Sequence, residues 1–342
     1  LVRMQFVNGT HALATVLFGI LRPGDVMLSV MGPPYDTLQT AIGIAGTAAG
    51  SLKDFGVGYR QVDPLENGGP DLETIAAAAA APEVRLVLIQ RSRGYSTRPA
   101  LTVAQIGQIA ACIHQANPRA VVMADNCYGE FVDTLEPTQV GADIMAGSLI
   151  KNPGGGLAPT GGYIAGRREL VDQCAGRLTS PGIGGEAGAS LDCNRLLYQG
   201  FFLAPHTVAQ AVKTAVFCAK LMELLGIPHA PAAEEPRSDI VQTVSFGTPE
   251  GLEKFCLGIQ KGAPVDSYVV PEPWDMPGYD DPVIMAAGSF VQGASIELSC
   301  DGPMRAPYTA YLQGGLTWES GRLGILLAVD ELLKEVSHGS VS

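Results

Sequence analysis

One lysine stands in a stretch that holds no other charged residue, GSLIKNPGGGLAPTGG. Lys151 follows Ser148 by three residues and is itself followed by Asn-Pro and three glycines. Three interpretations are open for it. It is a surface side chain before a turn, a base beside a serine nucleophile, or an amine that binds an aldehyde covalently.

The serine–lysine spacing is that of penicillin-recognising enzymes, in which the serine attacks the substrate. Such a site also needs S-D-N and K-T-G elements. The nearest match to the second is Lys-Thr-Ala at 213–215, inside a predicted helix. The sequence therefore disfavours a serine nucleophile, because short motifs match by accident.

A carboxylate lies at the end of a predicted buried strand. Asp125 closes the apolar run AVVMADN, and open α/β sheets bind their ligands at the carboxyl edge of the strands. This position predicts a carboxylate that faces a ligand. Taken alone, Asp125 is equally well explained as a cap or turn residue.

A second group of residues could bind an anion and place an aromatic side chain beside a ligand. Gly9 and Thr10 open the predicted helix NGTHALATVLFGIL, whose first N–H groups favour an anion, and Ser148 adds a hydroxyl. Tyr35 lies in the loop GPPYDTL after the strand DVMLSVM. The alternatives are an ordinary capped helix and a packed aromatic side chain.

Together these groups match the needs of one cofactor, pyridoxal phosphate. Lys151 offers an amine to its aldehyde, and Asp125 offers a carboxylate that keeps the pyridine nitrogen protonated. Helix amides and hydroxyls would meet the phosphate, and Tyr35 would cover the ring. The constellation is more specific than any of its members.

Apolar runs that alternate with alanine-rich stretches must position these residues. The runs predict buried strands of the kind found in parallel sheets, and helices are predicted at 71–81 and 102–117. This alternation indicates an α/β fold with a mostly parallel sheet. The predicted strands span residues 25–31, 84–90, 120–126 and 161–166.

The chain changes character near residue 206. A helix at 207–225 is followed by strand-like segments at 239–246 and 293–299 and by a helix at about 319–336. We predict a large domain over 1–205, and a connecting helix with a smaller α+β domain over 206–342. The opening LVRMQFVNGTHA enters a core-like segment directly, so we expect that an N-terminal segment is missing.

The composition limits the classes of partner. A net charge of −12 repels nucleic acid and anionic lipid, and no apolar run approaches the roughly 20 residues that span a bilayer. Seven scattered cysteines form no C-x-x-C pair, and the histidines lack metal-ligand spacing. We therefore predict a cytoplasmic protein with no metal site that binds neither nucleic acid nor membrane.

Longer blocks of sequence carry a resemblance. ADNCYGEFVD and GADIMAGSLIKNPGGGLAPTGGYIAGR resemble the fold-type-I pyridoxal-phosphate enzymes of the cystathionine and methionine lyase group. Blocks such as IQRSRGYSTRPALT, LTSPGIGGEAGASL and YLQGGLTWE are similar to the methionine gamma-lyase-like family that is also labelled aluminium resistance protein. The resemblance covers nearly the whole chain.

The resemblance implies a fold, a reaction and an assembly. Lys151 would hold pyridoxal phosphate as a Schiff base, and Asp125 and Asn126 would match the family's D-N-T-Y element at the cofactor. The expected reaction is elimination of sulfur from a small amino-acid substrate, giving a thiol, ammonia and a 2-oxo acid. Relatives share active sites between subunits, so a homodimer or homotetramer is expected.

The residue that binds the substrate carboxylate departs from the family pattern. The lyase group uses an arginine on a late strand, and SIELS has Glu297 at the corresponding position. Arg91, Arg93 and Arg305 are the substitute candidates, because a guanidinium matches two carboxylate oxygens. Each is equally a candidate for a structural ion pair.

Two other functions stay open on the same fold. An aminotransferase or decarboxylase would use the same cofactor and lysine, because substrate orientation decides the outcome. A non-catalytic cofactor-binding protein in metal stress is the third hypothesis. The leading hypothesis is a pyridoxal-phosphate-dependent carbon–sulfur lyase.

Overall fold

The computed structural model describes residues 1–276 and 278–338. Contacts divide the chain into two compact units: the first comprises Leu1–Leu149 and Pro159–Arg195, and the second comprises Ile150–Ala158 and the chain from Leu196 onward. The sequence-based division after residue 205 stays a prediction. The contacts differ from it, because they assign the short segment with Lys151 to the second unit.

The first unit is built on a seven-stranded sheet with five helices. Its strands lie in the order β1-β7-β6-β5-β4-β2-β3, and those from β6 to β3 run parallel. The strands are β1 (Val2–Arg3), β2 (Val26–Val30), β3 (Gly58–Val62), β4 (Val84–Gln90), β5 (Val121–Asp125), β6 (Ile144–Ser148) and β7 (Gly162–Gly166); the helices are α1 (Gly9–Ile20), α2 (Asp36–Ile42), α3 (Leu72–Ala79), α4 (Val103–Ala116) and α5 (Arg168–Leu178).

Both faces of this sheet are covered, which explains the continuous apolar runs. In β4, Leu86 and Leu88 belong to the core cluster with residues of α1 and α5, whereas Val87 and Ile89 belong to the cluster with residues of α3 and α4. Successive side chains of a strand point to opposite faces, so most positions of a doubly covered strand are apolar. The prediction of a mostly parallel α/β sheet is confirmed.

One strand of the sheet differs from the prediction of parallel strands. β7 pairs with β6 in antiparallel register, from Ile144 opposite Gly166 to Ser148 opposite Gly162. The chain between them, residues 149–161, contains a 3₁₀ turn and no α-helix. A parallel neighbour needs a longer crossover connection, so the direct connection makes β7 antiparallel.

The second unit combines an antiparallel five-stranded sheet with long helices. The sheet order is β10-β11-β12-β9-β8, and α7 and α8 pack closely, since a Cβ on Gly258 would lie 2.2 Å from the Cα of Ala328. The elements are α6 (Asn194–Leu225), β8 (His229–Ala230), β9 (Gln242–Ser245), α7 (Pro249–Lys261), β10 (Val283–Ala286), β11 (Ser299–Pro303), β12 (Thr309–Gln313) and α8 (Trp318–His338). In the described part of the chain, no helix is both long and apolar enough to cross a membrane.

Two predicted elements of this part of the chain need correction. The helix predicted at 207–225 already begins at Asn194 and continues through Pro205. Of the strand predicted at 293–299, only Ser299 lies in a strand, as the first residue of β11. The residues before it form turns, in which Ser295 N donates to Gly293 O and Glu297 N donates to Ala294 O. These turns are buried, so they contain apolar residues as a buried strand does. The apolar pattern alone therefore did not distinguish the two.

Candidate active site

The carboxyl ends of four parallel strands bring most of the predicted site residues of the first unit to one edge of its sheet. Asp125 is the last residue of β5, and Ser148 is the last residue of β6. Arg91 directly follows β4, and Tyr35 lies in the loop after β2. Ligands bind at this edge in open α/β sheets.

The start of α1 lies directly against the end of β6. A Cβ built on Gly9 would lie 3.2 Å from Ser148 Cβ and 3.5 Å from Cys127 Sγ. Asn8 caps the helix, since its side chain accepts from the amide of His11. A Cβ at position 9 would be crowded against Ser148, and glycine brings the helix amides to the end of the strand without that crowding.

The Ser148 hydroxyl fits an anion at this helix start. Ser148 is 1% exposed, and its Oγ has no hydrogen-bond partner among the described residues. The first N–H groups of a helix have no acceptor within the helix, and the first turn of α1 contains no acidic residue that would repel an anion. A buried hydroxyl without an acceptor or donor is costly, and a phosphate group would satisfy it.

Thr10 and Asp125 occupy defined positions beside this corner. Thr10 Oγ1 lies 2.8 Å from Thr37 Oγ1, which joins the first turns of α1 and α2. Asp125 is 5% exposed, and its Oδ1 accepts from the Cys127 amide at 3.1 Å. A buried carboxylate at the end of β5 is suited to hold a cationic ligand group. Its role at a cofactor stays a prediction.

Tyr35 stands beside a second aromatic residue. Its ring centroid lies 5.9 Å from that of Tyr95 in a tilted arrangement, and a Cβ on Gly94 would lie 3.4 Å from Tyr35 Cδ2. The two tyrosines follow β2 and β4 respectively, so an aromatic pair stands at this part of the carboxyl edge. Tyr35 is a residue predicted from the sequence, whereas Tyr95 was not predicted.

Arg91 and Asn126 belong to a buried polar network. Arg91 is 0% exposed, and its Nη1 donates to Asn126 Oδ1 at 2.8 Å and to Glu136 Oε2 at 3.3 Å. The Asn126 amide donates to Glu136 Oε2 and to the hydroxyl of Tyr163. This geometry favours the structural alternative for Arg91, and it occupies the Asn126 side chain with protein partners.

Tyr163 extends this network to another carboxylate. Its hydroxyl donates to Glu130 Oε1 at 2.8 Å, and burial raises the pKa of Tyr163 well above its ordinary value. The phenol therefore stays neutral and can donate. Sequence reasoning missed Glu130, Glu136 and Tyr163, because their meeting depends on tertiary folding of the loop after β5.

Arg93 and Arg98 lie in the loop after β4. Arg93 is 4% exposed, and its carboxylate-binding role stays a prediction. Arg98 is also buried, and its Nη2 donates to the carbonyls of Gln90 and Ser92. Arg98 thus holds the loop that carries Arg93 by backbone contacts.

In the second unit, Lys151 precedes a tightly packed glycine loop. Lys151 is half-buried and caps the 3₁₀ turn Asn152–Gly154. Gly155 has φ 55°, and a Cβ there would lie 2.4 Å from the carbonyl oxygen of Gly200. Gly155 is therefore required by the close backbone approach of this loop to α6.

Glu297 and Arg305 have local partners in the second unit. Glu297 is 2% exposed and accepts from the amides of Phe290 at 2.6 Å and Val291 at 3.0 Å; burial raises its pKa. Arg305 is half-exposed and forms an ion pair with Asp281 at 2.7 Å. Glu297 thus holds a turn, and the ion pair favours the structural alternative for Arg305.

Among the described residues, no group of three or more His, Cys, Asp or Glu side chains could hold a metal ion. A cavity of about 950 Å³ in the first unit lies beside Phe18, Leu52, Phe55 and Arg177, near the end of α1 opposite Gly9. It is therefore separate from the carboxyl edge of the sheet.

Comparison with known proteins identifies the family. The family model for methionine gamma-lyase matches residues 1–333. The uncharacterised Bacillus subtilis protein YnbB is 52% identical over 336 residues, covering 98% of this chain and 80% of the relative. The match extends over both units.

Solved structures agree with this match. A candidate cystathionine beta-lyase involved in aluminium resistance from Listeria monocytogenes has 53% identity and a TM-score of 0.94, covering 97% of this chain and 82% of that protein. A carbon–sulfur lyase involved in aluminium resistance from Clostridium novyi has 52% identity and a TM-score of 0.93, covering 97% and 78%.

A more distant structure shares the fold alone. The pyridoxal-5′-phosphate-dependent protein YhfS of Escherichia coli has 18% identity and a TM-score of 0.61, covering 97% of this chain and 80% of that protein. The predicted fold class is confirmed, as is the resemblance. The chain belongs to the methionine gamma-lyase family and has the fold-type-I architecture of pyridoxal-phosphate-dependent enzymes.

Proposed function

We propose that this chain is a pyridoxal-phosphate-dependent carbon–sulfur lyase that acts on a sulfur-containing amino acid or a close relative of one. The observation that carries the proposal is the buried Ser148 hydroxyl, which has no hydrogen-bond partner among the described residues and lies beside the amides at the start of α1. In a chain of this family, that corner suits the cofactor's phosphate.

Each candidate residue has a distinct part in holding the cofactor. Lys151 would bind its aldehyde carbon through Nζ, and Gly9, Thr10 and Ser148 would bind its phosphate through amides and hydroxyls. Asp125 would keep a proton on the ring nitrogen, because a buried carboxylate favours a nearby positive charge.

When bound, pyridoxal phosphate supplies an electron sink for a carbanion at the substrate α-carbon. The Lys151 amine, set free when the substrate amine takes its place at the aldehyde carbon, would take the proton from the substrate α-carbon. The Asp125 carboxylate would stabilise the positive charge at the ring nitrogen. Tyr35 would cover the ring with its aromatic side chain.

The overall reaction balances with one water molecule. The bond from sulfur to the β- or γ-carbon breaks, and the sulfur leaves as a thiol that has gained a proton. Water then replaces the amino nitrogen, giving ammonia and a 2-oxo acid. No external oxidant or reductant is consumed.

This chain lacks the arginine that binds the substrate carboxylate in the lyase group, so another residue must take that role. Arg91 and Arg305 already form ion pairs with Glu136 and Asp281, and Glu297 holds two backbone amides. Arg93 is a buried arginine at the carboxyl edge of the sheet, and a guanidinium matches two carboxylate oxygens, so we favour it as the carboxylate binder.

Covalent attachment of the cofactor provides the first test. After loading with pyridoxal phosphate and treatment with borohydride, we expect a reduced cofactor adduct on Lys151 in peptide mass spectrometry. Lys151→Ala should lose the adduct. Lys213→Ala, which changes an exposed lysine of α6, should keep it. An adduct confined to other lysines would refute the assignment.

The products then distinguish the functions. Incubation with L-methionine or cystathionine should release a thiol, and incubation with cysteine should release hydrogen sulfide, each with equal amounts of ammonia and 2-oxo acid. An aminotransferase would form 2-oxo acid without ammonia, and a decarboxylase would release carbon dioxide. Glu297 in place of the expected arginine favours one alternative, a cofactor-binding protein without lyase activity. A cofactor adduct on Lys151, with no product from any of the three substrates, would support this alternative.

A further inference from the structure

A thiol borders the corner between Gly9 and Ser148. A Cβ built on Gly9 would lie 3.2 Å from Ser148 Cβ and 3.5 Å from Cys127 Sγ. The serine and cysteine side chains therefore lie beside the same point at the start of α1. We call the place between Gly9 and Ser148 the anion corner, because the buried Ser148 Oγ has no hydrogen-bond partner among the described residues and suits an anionic ligand.

The thiol departs from the family pattern. The D-N-T-Y element of the lyase group has a threonine where this chain has Cys127. A thiolate reacts with small electrophiles and with peroxides, whereas a threonine hydroxyl does not under the same conditions. The cysteine therefore adds a reactive group beside the anion corner, and nothing in the proposed reaction uses it.

A tight turn after β5 holds the backbone that carries this thiol. The Cys127 amide donates to Asp125 Oδ1 at 3.1 Å, and the Asn126 amide donates to the Ala146 carbonyl at 3.0 Å. The Gly129 amide donates to the Asn126 carbonyl, also at 3.0 Å. These bonds fix the position of Cys127 at the carboxyl edge of the sheet.

A ligand in the anion corner would cover the thiol. Cys127 is 8% exposed, and Ser148 is 1% exposed. A phosphate group that accepts from Ser148 Oγ and from the first amides of α1 would lie against Cys127 Sγ, because both side chains border Gly9. The small accessible part of the thiol would then be closed to other molecules.

Three other buried cysteines are poorly suited to react. Burial raises the pKa of Cys174 and the pKa of Cys218 to about 12, and it raises the pKa of Cys300 well above its ordinary value. They stay protonated near neutral pH, and only a thiolate is a good nucleophile. Cys127 differs because it lies at the start of a helix, whose N–H groups favour a thiolate. The nearby Asp125 carboxylate opposes that charge, so we expect a moderate rate of reaction.

We propose that Cys127 is a modification site that hydrogen peroxide and small electrophiles reach only while the anion corner is empty, and that its modification keeps the cofactor's phosphate out. With peroxide, the sulfur attacks one oxygen and the O–O bond breaks. The sulfur keeps one OH group as a sulfenic acid, and the other oxygen leaves as hydroxide, which becomes water with the thiol's proton. Sulfur loses two electrons and peroxide gains them. The inference rests on the proposed function, since it takes the anion corner as the site of the phosphate.

Ligand protection tests the first half. Cofactor-free protein is treated with iodoacetamide, and peptide mass spectrometry follows the alkylation of each cysteine. With pyridoxal phosphate at about 100 times its Kd, only about one molecule in a hundred has an empty corner, so alkylation of Cys127 should slow about a hundredfold. Inorganic phosphate should also slow it. The control is Cys112, which is half-buried on α4, on the face of the sheet opposite to α1, and should react equally in all samples.

The borohydride adduct on Lys151, measured in the same samples, separates this inference from the proposed function. An adduct on Lys151 with unprotected Cys127 would overturn the inference and leave the proposed function standing. No adduct would refute the proposed function, and the sample with inorganic phosphate then tests the inference, which an unchanged rate at Cys127 would overturn. A Cys127 that is not alkylated in the cofactor-free protein would overturn it too.

Peroxide treatment tests the second half. After oxidation and removal of the excess peroxide, loading of the unchanged protein with pyridoxal phosphate should fall in proportion to the fraction of Cys127 that is oxidised. Dithiothreitol should restore it, because a sulfenic acid is reducible. Cys127→Thr, which has the family's residue, should load equally before and after treatment. An equal loss of loading in both proteins would show that Cys127 does not control the corner.

Discussion

Gly9 and Ser148 are so close that a Cβ on the glycine would lie 3.2 Å from the serine Cβ. The first residue of α1 and the last residue of β6 thus form one corner at the carboxyl edge of the sheet. The corner holds helix amides and a buried hydroxyl that lacks a partner among the described residues. This combination explains why an anion suits the site.

Ser148→Ala should separate ligand binding from folding. Without cofactor, we expect the variant to be as stable as the unchanged protein or slightly more stable, because a buried hydroxyl without a partner is removed. Its affinity for pyridoxal phosphate should fall about tenfold to a hundredfold, since a hydrogen bond to a charged group contributes about 1.5–3 kcal/mol. Thermal unfolding and cofactor titration measure the two effects.

Ser29 provides the control for that variant. It is also buried, but its Oγ donates to the Gly32 carbonyl at 2.8 Å. Ser29→Ala should therefore lose about 1 kcal/mol of unfolding free energy and keep its cofactor affinity. If the two serine variants behave alike, the Ser148 hydroxyl has no special role.

Gly200→Ala and Gly176→Ala should have opposite effects on stability. Both glycines lie within helices, where alanine is favoured by about 1 kcal/mol. The nearest atom to a Cβ on Gly176 is 3.8 Å away, whereas on Gly200 it is the Gly154 carbonyl oxygen at 2.1 Å. Gly176→Ala should stabilise the protein, and Gly200→Ala should destabilise it and displace the loop after Lys151.

Chemical denaturation measures the unfolding free energy of both variants. The yield of the borohydride adduct on Lys151 shows whether the loop after it is displaced. A reduced yield of adduct in Gly200→Ala alone is the expected result. Equal stability of the two variants would mean that α6 and the glycine loop are not in contact.

His11 should make stability fall in mild acid. Its Nδ1 accepts from the Val7 amide at 3.3 Å, and burial lowers its pKa. The unfolded chain therefore binds the proton more tightly than the folded chain. The contribution of His11 to the free energy of unfolding is present above the ordinary histidine pKa of about 6.5. It is lost as the pH falls through that value towards the lowered pKa.

His11→Gln keeps an acceptor for the Val7 amide and removes the titration. The difference in unfolding midpoint between about pH 8 and about pH 5 should therefore be smaller in the variant than in the unchanged protein. An equal or larger difference would show that His11 does not titrate with folding.

Glu297→Ala should destabilise the protein although it removes a buried acid. The carboxylate accepts from the amides of Phe290 and Val291, and its loss leaves both without that acceptor, at a cost of about 2–4 kcal/mol. Glu253→Ala, at an exposed position of α7, should change the unfolding free energy by less than about 0.5 kcal/mol. Urea denaturation of the two variants is the measurement, and similar values would mean that Glu297 does not hold the turn.

The sequence predicted the first unit's sheet well because local signals and tertiary contacts agree there. Short apolar runs such as VRLVLIQ, rich in β-branched residues, favour a strand covered on both faces, and the structure shows β4 in that environment. The helix predicted from Thr102 also agrees with the structure, in which Thr102 caps α4 and forms a capping box with Gln105. The direction of β7 was not predictable from its own residues, because its partner and connection determine it.

The candidate site also has features that the sequence predicted and features that only the tertiary structure determined. Residue type and position alone singled out Lys151, Asp125, Gly9 and Ser148, because an isolated lysine, a carboxylate that ends a strand and a glycine that opens a helix are local features. Tertiary structure alone decided that Gly9 meets Ser148, that Arg91 is buried against Glu136 and that Glu297 holds a turn. These pairs lie far apart in the chain or depend on backbone amides, and the free energy of such a contact depends on burial and distance, which residue order does not contain.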